Sequence, residues 1–192
     1  MSIIVNNWWE AKRKETQKLV WEKFHQKKKH NSIMQTTDIE KIVLNSGVGQ
    51  AINDKKYLEN TEKALIQISQ GQKPILTYAR KSIIGFKLRE GMPIGCKVTL
   101  GEKKKIWNFL FELINVDLPR ITNFQGFSKK KFDQKGKNYN LGINDLSIFP
   151  TVPYDLTFKN QGMQITIVFK SSSAEENGYF LSCLGFPFRE KD

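Results

Sequence analysis

Cationic side chains recur beside aromatic ones in this chain, and that pairing suits the binding of phosphates and bases. Lysine and arginine neutralise phosphates and release counterions, which gives an affinity that falls steeply with salt. Aromatic rings offer flat faces on which unpaired bases stack. Tyr78, Phe86, Phe124, Phe127, Phe132 and Tyr139 all stand in basic stretches. At least half of them are expected to anchor their loops to the core, which leaves the others free to stack.

Catalytic chemistry has far less to work with. His25 and His30 lie in a basic N-terminal segment with no partner at metal-ligand spacing, and both are expected to be surface histidines. The acidic residues are scattered, so no carboxylate pair suggests two-metal phosphoryl chemistry. No Ser, Cys or Lys sits in a nucleophile motif. Cys96 and Cys183 are too far apart in sequence for a disulfide framework or a metal knuckle. Both are expected to be buried small hydrophobes in a reducing compartment. The "GVG" at Gly47–Gly49 lacks the third glycine of a dinucleotide loop. The expectation is a binding protein with no catalytic residues, no cofactor and no metal.

The chain has 192 residues, 39% of them hydrophobic, including 13 phenylalanines, so it can bury a real core. One domain spanning 1–192 is expected, with a basic helix and lysine run in 1–31 and a long basic loop region in 120–142. No apolar run approaches the roughly 18 residues that cross a bilayer, and no membrane contact is expected. The opening "MSIIVNNWWEAKRK" lacks the pattern of a secretory signal or a convincing transit peptide, so the protein is expected to work where it is made. A net charge of +12 asks for a polyanionic partner. Solubility alone is the competing explanation, and the imbalance is large for it. Composition by itself does not choose RNA over DNA.

The elements that must position these groups follow from periodicity. Residues 6–31 read as a basic helix with a narrow apolar face (Trp9, Arg13, Thr16, Val20, Phe24) followed by the run Lys27–Lys29. Residues 39–51 read as a strand ending in a turn, with Ile42 and Leu44 on one face and Lys41, Val43 and Asn45 on the other. Residues 53–71 read as a helix capped by Asn53 and Gly71, with Tyr57, Thr61, Ala64, Leu65 and Ile68 as its apolar stripe. A short strand over 75–79 leads into the basic loop 80–91. In 94–100, Ile94, Cys96, Val98 and Leu100 face the core while Lys97 and Thr99 face outward. Residues 102–119 read as a helix ended by Pro119, and 120–142 as a functional loop. A strand over 164–170 and a helix over 174–185, opened by a capping box of Ser173 and Glu176, complete the chain. This order predicts an α+β fold: an antiparallel or mixed sheet with helices packed on one face. The alternation leaves the other face polar and basic, suited to lie against RNA. If the strands holding Asn45 and Thr99 are neighbours, both side chains share the open face. Uncharged hydrogen-bonding groups there read RNA shape or the 2′-hydroxyl.

The collinear segments "KIVLNSGVG", "GQKP", "ARKSIIGFKLREGMPIGCKVTL", "LPRI", "NYNLGI", "IFP", "YD", "GM" and "GFPFR" resemble the bacterial-type L5 family of large-subunit ribosomal proteins. The resemblance covers about residues 9–190. It implies an antiparallel sheet with helices on one side, and a place in the central protuberance binding 5S rRNA and tying it to the large-subunit rRNA. It carries the 5S rRNA contact onto Asn45, Gln72 and Thr99, with Lys97 beside them, and the contact with P-site tRNA onto Arg80, Lys81 and Ser82. It implies further RNA or bridging contacts at Lys41, Lys73, Arg120, Lys129, Lys130, Lys131, Lys135 and Lys137. The partners would include the small-subunit head protein S13 and neighbouring large-subunit proteins. Thr122 and Gln125 stand where the family commonly has arginines, and "DQKGKNY" replaces a glycine-arginine-glycine turn; Lys135 and Lys137 restore part of the charge. A lysine is a point charge where arginine forks onto phosphate, so the resemblance implies an altered grip over 122–138. The Lys-, Asn- and Ile-rich drift suggests an AT-rich organellar genome, and so a mitochondrial ribosome in the matrix, ahead of a plastid or bacterial one. The rival expectation is an RNA-binding regulator outside the ribosome that uses the same sheet.

Overall fold

A computed structural model of the chain describes residues 8–25, 32–156, 161–171 and 173–189. It is an α+β fold built on a five-stranded antiparallel sheet with four α-helices. The strands are β1 (Ile39–Gly47), β2 (Ile75–Tyr78), β3 (Pro93–Leu100), β4 (Asn138–Ile143) and β5 (Met163–Phe169), in the order β2-β3-β1-β5-β4. The helices are α1 (Trp8–His25), α2 (Lys56–Ile68), α3 (Lys103–Glu112) and α4 (Ala174–Cys183). The chain divides into two compact units, and β1, β4 and β5 each contribute residues to both.

One unit comprises residues 42–101 and 141–166. Here β1 pairs antiparallel with β3, setting Val43 opposite Thr99 and Asn45 opposite Lys97. On its other edge β3 pairs antiparallel with β2, with Ile75 opposite Lys97. The even-numbered side chains Ile42, Leu44, Cys96, Val98 and Leu100 are fully buried. Helix α2 packs on β3 and buries Leu58, Thr61, Ala64, Leu65 and Ile68. Leu58, rather than the expected Tyr57, belongs to that stripe, because it sits three residues before Thr61 and seven before Leu65. Each fully buried Leu or Ile there contributes about 1.5–3 kcal/mol. The helix start also differs from expectation. The Asp54 carboxylate, not Asn53, accepts the Lys56 N–H at 2.9 Å. At the other end Gly71 takes φ +85° and donates its N–H back to the Ile66 carbonyl at 2.8 Å.

The other unit comprises residues 1–41, 102–140 and 167–192. Its core gathers Val20, Phe24, Ile106, Phe109, Leu110, Tyr139, Phe169, Phe180 and Leu181. The expected helix to Pro119 stops sooner: α3 ends at Glu112, widens into a π turn over Leu113–Asp117, then tightens into a 3-10 turn over Leu118–Arg120. Pro119 has no N–H for the Asn115 carbonyl, and its ring would crowd that group in a regular helix. Ser173 caps α4 as expected, its Oγ accepting the Glu176 N–H at 3.4 Å. Buried Glu176 also accepts the Thr37 N–H at 2.8 Å and the Ser171 hydroxyl at 3.0 Å. The tail of the region expected as loop is strand β4, whose Tyr139 is buried, tilted against Phe132 and edge-on to Phe186 and Phe188. Lys27–Lys29, His30 and the His25 side chain lie outside the described residues.

A candidate nucleic-acid interface

Strand pairing builds the open face of the sheet. Residues opposite one another in an antiparallel pair project to the same side, and residues two apart along a strand do so too. Lys97 therefore lies between Asn45 on one side and Ile75 on the other, and Val43 faces Thr99. Asn45 and Lys97 are exposed, and Thr99 is half-buried. None of these three side chains makes a hydrogen bond or ion pair with another described residue. Two uncharged hydrogen-bonding groups and one ammonium thus stand unengaged on one face, while the residues between them are sealed in the core.

Gln72 joins this group in a different way. Its Nε2 donates to the Thr99 carbonyl at 2.8 Å. β2 begins at Ile75, opposite Lys97, so the Thr99 carbonyl lies beyond the last strand partner on that edge. The Gln72 amide takes the place of the missing ladder bond, which leaves its Oε1 available to a ligand.

Loop 80–91 leaves β2 and returns to β3. It is braced by the isolated bridge of Ile83 with Leu88, by the Ala79 N–H on the Met92 carbonyl at 2.9 Å, and by Lys87 in the left-handed region at φ +52°. Arg80 and Lys81 are exposed. The Ser82 hydroxyl oxygen accepts the Glu90 N–H at 3.0 Å, so Ser82 also ties the loop to itself. The 3-10 turn at the tip, Ile84–Phe86, presents Ile84 at 96% and Phe86 at 71% exposure. Tyr78 is exposed as well. Tyr78 and Phe86 are therefore the two aromatics of the six with free faces. Tyr139 and Phe127 are buried, and Phe124 and Phe132 pack against them.

The remaining cations are less uniformly free. Lys73, Arg120, Lys130 and Lys135 are exposed. Lys41 and Lys137 share the Glu40 carboxylate, at 4.0 and 3.3 Å. Lys129 and Lys131 sit over the rings of Phe188 and Phe127, at 5.8 and 5.3 Å from their centroids. Alternation had already set Val43 on the open face with Asn45, but periodicity alone missed Ile75 there, opposite Lys97. Only strand register could have found Ile75, since an edge strand of four residues carries no clear alternation. Cys96 is buried as expected, and burial together with the nearby Glu62 carboxylate pushes its thiol up to about 11. Cys183 is only half-buried, contrary to the expectation for it. Among the described residues no group of three His, Cys, Asp or Glu side chains is placed to hold a metal ion, and no helix is long and apolar enough to cross a membrane.

Two family models match the chain. Residues 32–89 match the one described as ribosomal protein L5, and residues 93–188 match the one that describes the C-terminus of the same ribosomal family.

Proposed function

The chain belongs to the ribosomal protein L5 family, a family of the large ribosomal subunit, and from that premise we propose that it binds 5S rRNA through the open face of its sheet. One observation carries this reading: Asn45, Lys97 and Thr99 stand together, unengaged, on a face whose alternate residues are wholly buried. Thr99 and Asn45 supply hydrogen-bonding groups, Lys97 a phosphate contact, and Gln72 an amide already oriented by the β3 backbone. In this reading the protein sits in the central protuberance, ties 5S rRNA to the large-subunit rRNA, and performs no catalysis.

Loop 80–91 then meets P-site tRNA through Arg80, Lys81 and Ser82, and the basic surface after Pro119 reaches the small-subunit head protein S13. Lys129, Lys130, Lys131 and Lys135 are the cations available to that second contact. The Lys-, Asn- and Ile-rich composition supports a mitochondrial ribosome as the setting.

The test is a gel-shift titration of the full chain against 5S rRNA, with tRNA and a scrambled RNA as competitors. Asn45→Ala and Thr99→Ala should each weaken 5S binding by about 1–3 kcal/mol, because each strands a hydrogen-bonding partner on the RNA. Both side chains leave the core undisturbed, so melting temperatures should hold. Undiminished affinity in both variants at matched salt would refute the assignment of this face. Replacing Arg80 and Lys81 together should spare 5S binding and weaken tRNA.

A further inference from the structure

Beyond the polar face, and within the same unit, lies an open groove of about 570 Å³ lined by Gly47, Gly49, Ile52, Asn53, Phe86, Leu88 and Ile94. One wall is the Phe86 ring, 71% exposed, which packs against no other ring among the described residues. Another carries the Asn53 side chain, exposed and without a hydrogen-bond partner among the described residues. Ile52, Leu88 and Ile94 supply apolar lining. Gly47 and Gly49 line the remaining side, and a Cβ at either would meet nothing within 4 Å. A flat heterocycle with polar edges fits these surfaces: a ring to stack on, a carboxamide for its edge, and glycine backbone that lets a sugar approach.

We propose that this groove is a nucleobase pocket, receiving one unstacked base of a bound RNA. Charge decides between RNA and an apolar peptide as occupant. From Lys73 to Lys97 the chain carries Lys73, Arg80, Lys81, Lys87, Arg89 and Lys97 against a single carboxylate, Glu90. Phosphates flanking an inserted base would be attracted to that surround. Gly47 lies two residues beyond Asn45 on β1, so the groove adjoins the end of the strand that carries the polar face. The proposal rests on the reading of the chain as an RNA-binding ribosomal protein, and adds a base-recognition site to it. The base could come from 5S rRNA or from tRNA, and the chemistry in the groove would be the same.

The experiment titrates the full chain, native and variant, with 5S rRNA and separately with tRNA across a range of salt. Phe86→Leu keeps apolar bulk and removes the aromatic face; Phe86→Trp keeps a face. Phe86→Leu should weaken the RNA that supplies the base about tenfold or more, with the salt slope unchanged because no cation is lost. Phe86→Trp should bind within about threefold of the native chain. Loss with only one of the two RNAs identifies the source of the base. Undiminished binding of both RNAs by Phe86→Leu would overturn the proposal, as would a loss in Phe86→Trp equal to that in Phe86→Leu. The double variant Asn45→Ala, Thr99→Ala separates the two sites. If it binds 5S rRNA normally while Phe86→Leu does not, the groove stands and the polar-face reading falls.

Discussion

Asp117 shows what burial does to a single carboxylate. It is 3% exposed within the π turn that follows α3. Burial raises its pKa most, the nearby Glu112 carboxylate raises it further, and Arg120 opposes both; the result is about 7. The folded state therefore favours the protonated form. Its contribution to stability is complete below the ordinary carboxylate range and is lost as pH rises through about 7. The melting temperature should fall between pH 5 and pH 8, and Asp117→Asn should remove most of that fall. A scanning-calorimetry series in which the Asn variant kept the full slope would assign the pH dependence elsewhere. The site residues differ from Asp117 in kind. Asn45, Lys97 and Thr99 owe their availability to position on a strand, and their outward direction was readable from alternation. That Lys97 sits opposite Asn45 needed the register.

At the scale of elements, the β1–β3 pairing depends on one glycine. A Cβ on Gly95 would lie 2.8 Å from the Ser46 carbonyl oxygen and 2.8 Å from Thr77 Oγ1. Gly95→Ala forces either β1 or β2 away from β3, and overpacking of this kind costs about 1–3 kcal/mol. Urea titration should show that loss, and if the proposed 5S rRNA contact by Asn45 and Thr99 holds, affinity should fall alongside it, because those two residues sit on the two strands being separated. An alanine variant as stable as the native chain would mean that the sheet yields more easily than its contacts suggest. Elements with a local period were legible: β1, β3, β5, α2 and the start of α4 all fall within a few residues of expectation. β4 was not, because its strand begins directly after a polar, lysine-rich turn and its aromatic Tyr139 looked like a loop anchor. The end of α3 was also missed, since a π turn is a response to Pro119 rather than a pattern in apolar residues.

For the whole molecule, a charge of +12 makes salt the most informative variable. The logarithm of 5S rRNA affinity should fall linearly with the logarithm of salt. Lys97→Gln should reduce the magnitude of that slope by about one, while Asn45→Ala should lower affinity with the slope intact. Equal slopes in the native chain and Lys97→Gln would show that this lysine meets no phosphate.

The sequence by itself determined the class of fold and the class of partner. Alternating and helical periods are local properties of the chain, and net charge is a sum that folding does not alter. It also determined which side of β1 and β3 each site residue takes. Tertiary structure alone decided who stands next to whom: Lys97 between Asn45 and Ile75, Gln72 on the Thr99 carbonyl, Phe86 and Asn53 lining one groove. Such neighbours are brought together by strand register and loop closure. Those are set by the packing of residues far apart along the chain, so no single stretch of sequence encodes them.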